Sequence, residues 1–478
     1  RRPQRVASTS DLNLDCPRPR RRSRRRGFFV SGTFRTDPSL GQSLSIWSTA
    51  RELAGKTPAE RNRYVDFLRA VSILVVVIGH WLIATFSYVD GQLMPGHLLK
   101  SHPQYQWLTW IFQVMPIFFI VGGYSNAVSI ESAKRKGVDY AGWLVARLHR
   151  LVTPLLMLIV AWAVAAVVLR TLGVRPEIVV FLTQASFVPT WFLAIYIMLV
   201  ILAPPTYRLW RRFGFASFAG FVVLAVLVDI AFFAFDQRWL GWTNYFWVWL
   251  AVHQLGFAWR DGHFSSAAKM LAMAGFGFVA LYLMIDRGPY PLAMVGSPDE
   301  SLSNTLPPKA TLLALALFQC GLLLALERPL RRALDGARLW AATVLVNSMI
   351  MTVYLWHITV QMAVGAAFYL TGDFAFRLEP GSTEWWLSRP VWIGVLILVL
   401  VPVALVLSAV ERRARAADAK THSAARLVTG AAMACLGISF LSLWGLGGGP
   451  AAWVDEVAIA FVVIGAFLSG LIFSERSR

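Results

Sequence analysis

Arg69 and His80 are the two residues of this chain best suited by type and spacing to do chemistry. They sit in one apolar run, residues 65–83, eleven positions apart. In a helix that spacing offsets them by only about 20° around the axis and separates them by roughly 16 Å along it. A neutral imidazole in an apolar channel can take a proton from a hydroxyl, since its reference pKa is about 6.5. A guanidinium can make forked bonds to an anion. Two ionisable side chains on one face of a membrane helix are costly, and a chain that only needed an anchor would have no reason to carry them. The pair predicts one polar group near each end of a buried path across a membrane.

Other residues could share that work. Arg147 and Arg150, in the segment Arg147-Leu-His149-Arg150-Leu-Val-Thr-Pro154, are three apart and share a helix face, an arrangement suited to phosphate as well as to ordinary interfacial charge. The glycine pair in Phe118-Phe119-Ile-Val-Gly122-Gly123-Tyr124-Ser125 lets helices approach closely. Trp191, in Pro189-Thr190-Trp191-Phe192-Leu193, is placed as an interfacial aromatic. Tyr354 and His357 fall deep in a later apolar run, where a histidine points to a site. Asp229, His253-Gln254 and Gln319 are polar groups in apolar runs, read as bridges between helices. Cys16, Cys320 and Cys435 give no disulfide framework, and no His/Cys cluster suggests a metal.

The elements that must hold these residues are membrane spans. The chain is 57% hydrophobic and 15% charged, against about a quarter charged for soluble domains. Twelve apolar stretches near the ~20 residues needed to cross a bilayer are predicted at about 65–86, 107–129, 151–170, 188–204, 214–235, 243–258, 269–285, 310–326, 341–369, 391–410, 428–446 and 455–473. So many long apolar stretches without a polar face exclude a soluble helical protein. The expected fold is all-α, a polytopic transmembrane bundle of about twelve spans.

Charge sets its expected orientation. One set of connections carries Lys134, Arg135, Lys136, Arg147 and Arg150, then Arg208, Arg211 and Arg212, Arg260 and Lys269, Arg328 to Arg338, Arg412 to Arg426, and Arg476 and Arg478. The alternate connections are sparse in charge, and the two longest are 286–309 and 370–390. The positive-inside rule makes the first set cytoplasmic, with both termini inside. Residues 1–62 are expected to form a disordered basic arm holding Arg18 to Arg26, with a membrane domain over 63–410 and two further spans in 411–478. No cleavable leader is expected, because no small-residue cleavage site follows the first apolar run. The net charge of +19 is attributed to orientation and to contact with anionic lipid, not to nucleic acid.

In this order the segments resemble the integral-membrane acyltransferase-3 family over residues 61 to about 410. Tyr64-Val-Asp66-Phe-Leu-Arg69-Ala is similar to its opening "Y-[IV]-D-x-L-R-A", and Arg69 with His80 matches its Arg, ten residues, His signature. Phe118 to Tyr124 resembles "F-F-x-x-S-G-[FY]"; Arg147, Arg150 and Pro154 resemble Arg-x-x-Arg-x-x-x-Pro; Trp191 to Leu193 resembles "W-[FY]-L"; Tyr354 to His357 resembles "Y-x-x-H". Two positions depart from the pattern. Gly122 stands where the family often has Ser, and Ala-Ile-Tyr196 follows the "W-[FY]-L" segment without the Glu some members carry.

The resemblance implies O-acyl transfer from a cytoplasmic acyl-CoA, acetyl-CoA or succinyl-CoA, to a hydroxyl of an extracytoplasmic glycan or glycolipid. His80 and Arg69 would be catalytic, with His80 the general base. Arg147 and Arg150 would hold the donor, and Trp191, Tyr354 and His357 would contact substrate; no metal is implied. The Ala/Arg-rich composition, the basic arm and the Trp-rich loops also look like actinobacterial, mycobacterial-type members, which implies a plasma-membrane enzyme of the cell envelope. The competing expectation is a proton-coupled secondary transporter, with Arg69, His80, Asp229 and His357 as its relay. Against it, no matched pair of Gly/Pro-broken spans divides the chain into two halves.

Overall fold

The structure is a computed structural model, and it describes residues 46–58, 61–89, 92–296, 300–371, 377–415, 422–450 and 453–471. The arm through residue 45, with Cys16 and Arg18 to Arg26, lies outside the described residues, as do Lys420, Arg476 and Arg478. The chain begins with α1 (Ile46–Gly55), then α2 (Arg63–Ile83), the strands β1 (Ala84–Val89) and β2 (Gln92–His97), and two single turns, α3 (Leu98–Ser101) and α4 (Thr109–Phe112). Next come α5 (Met115–Arg135), α6 (Tyr140–Thr171), α7 (Pro176–Phe187), α8 (Thr190–Phe213), α9 (Phe215–Ala234), α10 (Asn244–Arg260) and α11 (Ala267–Arg287). The rest is α12 (Thr311–Ala325), α13 (Glu327–Ala333), α14 (Ala337–Ser348), α15 (Ile350–Thr371), α16 (Thr383–Arg415), α17 (Ala424–Trp444) and α18 (Val454–Leu468).

This is an all-α polytopic membrane protein. Among the described residues nine helical segments are long and apolar enough to cross a bilayer, or ten if α12 and α13, bent by 52°, count as one broken span. Each of the twelve predicted apolar stretches contains helix among the described residues, but α10 has 17 residues and α12 and α18 have 15 each, fewer than a simple crossing needs.

Four local features differ from the sequence expectation. The arm is not wholly irregular: Ile46–Gly55 is a helix, and the Trp340 indole of α14 donates to the Ala54 carbonyl at its end. Its apolar Ile46, Ala50, Leu53 and Ala54 fall at helical spacing inside a charged stretch, which hid the signal. The first span stops at Ile83, and an antiparallel hairpin follows, with Ala84 opposite His97 and Thr85 opposite Gly96. The Asp-Gly pair at 90–91 between two β-prone stretches is its sequence signal. The predicted 341–369 span is broken at Met349 into α14 and α15. There the Asn347 amide donates to the Thr343 and Asp66 carbonyls and the Ser348 hydroxyl to the Leu345 carbonyl, side-chain bonds that compete with the helical ladder. Finally, α7 is a separate short helix before the predicted fourth span.

Lipid is as apolar as leucine, so these helices are held by close packing and interhelical hydrogen bonds rather than by burial from water. The tightest crossing joins α5 and α10. A Cβ on Gly123 would stand 2.0 Å from the His253 carbonyl oxygen, and one on Gly256 would stand 2.1 Å from that of Ile120. Both obstacles are backbone, which cannot swing aside. Gly256→Ala is therefore expected to push α10 off α5 and cost about 1–3 kcal/mol. A thermal-stability scan of the detergent-purified protein checks this; a melting temperature within a degree of wild type would mean the crossing is looser than described.

Candidate active site

The far end of α2 carries a chain of hydrogen bonds that fixes proton positions. His80 Nδ1 lies 2.8 Å from His357 Nε2, and the two rings are nearly parallel, with centroids 5.1 Å apart. His357 Nδ1 lies 2.6 Å from the Tyr354 carbonyl oxygen. A carbonyl only accepts, so His357 carries its proton on Nδ1 and offers Nε2 as an acceptor. His80 then donates from Nδ1, and its Nε2 is left with a bare lone pair. His80 is half-buried while His357 is fully buried, so the free nitrogen belongs to the ring that can be reached.

The neighbours lock this arrangement. The Trp81 indole donates to the His357 carbonyl at 3.0 Å, and the Tyr354 phenol donates to the Pro189 carbonyl at 2.6 Å. Pro189 precedes α8, so α2, α8 and α15 meet here. Tyr354 is 1% exposed with its hydroxyl committed, and His357 is 0% exposed. Both were expected to touch substrate; in this structure both are enclosed by protein, and His357 bonds to His80.

The near end of α2 is cationic. Arg69 donates from Nη2 to the Ser125 hydroxyl of α5 at 2.8 Å and from Nη1 to the Asp66 carboxylate at 3.2 Å. Asp66 also pairs with Arg61, so it is shared between two guanidinium groups. Arg147 is half-buried, with its guanidinium 5.6 Å from the centre of the Trp143 ring and within electrostatic reach of Arg69, Arg150 and the Tyr196 phenol. Arg150 is exposed one turn further along the same face. Among the described residues neither Arg147 nor Arg150 has a carboxylate partner. Three guanidinium groups with one shared carboxylate leave a net positive site.

An aromatic strip joins the two ends along α8. Tyr196 stacks on Phe192 at 5.9 Å, and Phe192 meets Tyr354 edge-on at 5.6 Å and Phe118 at 5.2 Å. In the sequence Tyr196 marks only a departure from the family pattern, because it is one aromatic among many in its span. It explains the departure at position 122: a Cβ there would stand 2.8 Å from Tyr196 Cε2. The tyrosine ring occupies the space a side chain at 122 would need, so the two unusual positions compensate each other. Gly122→Ser is expected to displace Tyr196 and lower activity several-fold, and Tyr196→Leu in the same chain is expected to restore part of it. Additive losses in the double variant, measured as transfer rates, would disprove the compensation.

The remaining candidates fall elsewhere. Trp191 is half-buried and edge-on to Phe192 at 6.4 Å, and no hydrogen bond joins it to His80 or His357 among the described residues. Asp229 bridges α9 to Asn244, to Tyr290 and to the Ala310 amide. His253 pairs with Asn126, Gln254 with Ser217, and Gln319 with the carbonyls of Trp110 and Gln113. These are helix and loop bridges away from the α2 path. Asp66 and Ser125, which the sequence did not single out, are the hydrogen-bond partners of Arg69.

No curated protein and no solved structure matches the chain. The acyltransferase-3 family model, described as an acyltransferase domain, matches residues 62–409. That stretch begins at the Asn62 cap of α2 and ends within α16, so it contains Arg69, His80, both arginines of α6, and Tyr354 with His357. With both ends of the path inside the matched stretch, which covers well over half of the sequence, the chain belongs to the acyltransferase-3 family and is a membrane acyltransferase.

Proposed function

We propose that this acyltransferase moves an acyl group, acetyl or succinyl, from a cytoplasmic acyl-CoA to a hydroxyl of an extracytoplasmic glycan or glycolipid. The observation that carries this reading is the bond from His80 to His357, which leaves His80 Nε2 as an accessible base. Arg147 and Arg150 take the phosphates of the donor, since they are cations without carboxylate partners. Arg69, held by Asp66 and Ser125, steadies the donor further along. The roughly 16 Å between Arg69 and His80 along α2 suits an extended pantetheine arm, so the thioester reaches the imidazole.

The transfer step then balances. The acceptor hydroxyl gives its proton to His80 Nε2 as its oxygen bonds to the thioester carbon. The tetrahedral intermediate collapses, the carbon–sulfur bond breaks, and the thiolate takes the proton back from His80. The products are an ester and free CoA, and donor and acceptor never share a compartment. The charge pattern supports twelve crossings with both termini inside and anionic lipid around the arginine-rich end. The composition supports an envelope enzyme of the actinobacterial, mycobacterial type, residing in the inner (plasma) membrane.

Mass spectrometry of envelope glycolipids and polysaccharides, from cells with and without the protein, tests this. The expected result is a mass shift of one acetyl or succinyl unit that depends on the protein. Identical spectra from the two strains would overturn the reading.

A further inference from the structure

The first turns of α16 carry a cation where the packing calls for an apolar residue. Trp385, Arg389, Trp392, Leu396 and Leu400 recur at helical spacing and form the buried face of this helix. Arg389 is 9% exposed, between Trp385 at 2% and Trp392 at 7%, whereas Leu387 and Val391 on the opposite face are 74% and 71% exposed. An arginine that only snorkels would keep its charged head in water. Arg389 is set among packed side chains instead.

Its surroundings hold it without balancing its charge. The guanidinium carbon lies 4.3 Å from the centre of the Trp385 ring and 5.8 Å from that of Trp392, and Trp392 packs on Phe368 of α15 at 5.7 Å. Nε donates to the Trp385 carbonyl at 3.2 Å, and Nη2 donates to the Ser388 hydroxyl at 3.1 Å. Both acceptors are neutral, and both belong to the turn before Arg389. They draw the side chain back toward the start of α16, that is, toward the rim of the bundle. Among the described residues no hydrogen bond engages Nη1, and Arg389 has no carboxylate partner. Aromatic rings offset part of the cost of burying a cation, but a buried charge without a counter-ion remains expensive. In a membrane-embedded helix such a residue marks a site.

The place of this guanidinium says which anion reaches it. Asn347 meets the Asp66 carbonyl and His357 meets His80, so α14 and α15 run in the same direction as α2. The end of α15 and the start of α16 therefore lie beyond His80, at the end of the bundle that the charge pattern supports as extracytoplasmic. The exposed Leu387 and Val391 keep the same turns against lipid, whose phosphates are the anions at hand there. We propose that Arg389 is a binding site for the phosphate of a lipid in the outer leaflet. The free edge of the guanidinium grips the phosphate oxygens while Trp385 and Trp392 steady the cation. The inference stands on the geometry of α16 and does not depend on the transfer reading.

The test uses the full chain purified in lipid-free detergent, with native mass spectrometry to count bound molecules and a thermal scan alongside. The probes are phosphatidylglycerol, the matching diacylglycerol, which lacks the phosphate, and inorganic phosphate. Wild type is expected to retain one more phosphatidylglycerol than Arg389→Leu, and no more of the diacylglycerol. Phosphatidylglycerol should also raise the melting temperature of wild type further than that of the variant. Arg389→Lys keeps the charge but not the fork, so it should bind the extra copy several-fold more weakly than wild type; it carries the test if the leucine variant does not fold. Equal counts and equal melting shifts in wild type and variants would overturn the site. Diacylglycerol retained to the same count as phosphatidylglycerol would overturn it too, since acyl chains alone would then hold the lipid. Excess inorganic phosphate that removes the extra copy would assign the site to a free phosphate and overturn the lipid as its ligand.

Discussion

His80→Ala is expected to lower acyl transfer by about 10²–10⁴-fold with no change in protein level, the range a positioned base contributes. On the proposed mechanism, with the imidazole acting on the acceptor proton and the donor held at the other end of α2, the loss should fall on kcat. His357→Ala should also lower kcat, by about 100-fold, although His357 is fully buried. Without its Nε2 acceptor, nothing fixes the His80 proton on Nδ1, and the base is lost from Nε2 for much of the time. A purely structural role would not be rescued by a side chain that merely accepts a bond. His357→Gln keeps an amide oxygen for the His80 N–H and is expected to recover at least a tenth of the wild-type rate. Unchanged envelope acylation in His80→Ala cells at normal protein level would remove the catalytic role. Equal losses in His357→Ala and His357→Gln would remove the orienting one.

The parts of the site that were legible in the sequence are those where an ionisable residue interrupts an apolar run. Arg69, His80 and His357 stand out for that reason, since each is costly in a span. Their pairing was not legible. His80 and His357 are 277 positions apart, and nothing in either segment says that α2 and α15 touch. Tyr354 and His357 were assigned to substrate through the resemblance of their segment; that both are enclosed by protein shows only in the fold. Tyr196 was invisible for the opposite reason, being an aromatic in an aromatic-rich span. In the fold, hydropathy located the apolar helices but not where they stop. The hairpin after Ile83 and the break at Met349 depend on local backbone bonding that a hydropathy average smooths over. The second of these places bears on the candidate site, because it brings Asn347 against Asp66, the residue that pairs with Arg69.

Replacing Arg147 and Arg150 together by Ala is expected to weaken donor binding by about 100-fold or more, while kcat at saturating donor changes little. Hydrogen bonds to charged groups are each worth about 1.5–3 kcal/mol, and two such contacts would be lost. The two residues should not contribute equally. Arg147 is half-buried against Trp143 and near Arg69, where water screens a phosphate contact less; Arg150 is exposed, so its contact is weaker and more sensitive to salt. Arg147→Ala alone should therefore account for most of the loss. The ordinary alternative is that both arginines only orient the helix in the membrane, a role that any cation fills. Lysine at both positions separates the two accounts. It preserves the charge and the topology but not the fork that grips a phosphate, so the double lysine variant should insert normally and still bind CoA at least several-fold more weakly. Comparing CoA with pantetheine, which lacks the nucleotide phosphates, locates the effect. Wild type should prefer CoA strongly, and the alanine pair should lose most of that preference. Equilibrium dialysis of the purified protein in nanodiscs reads both numbers, and an undiminished CoA preference in the alanine pair would move the phosphates to some other cations of this chain.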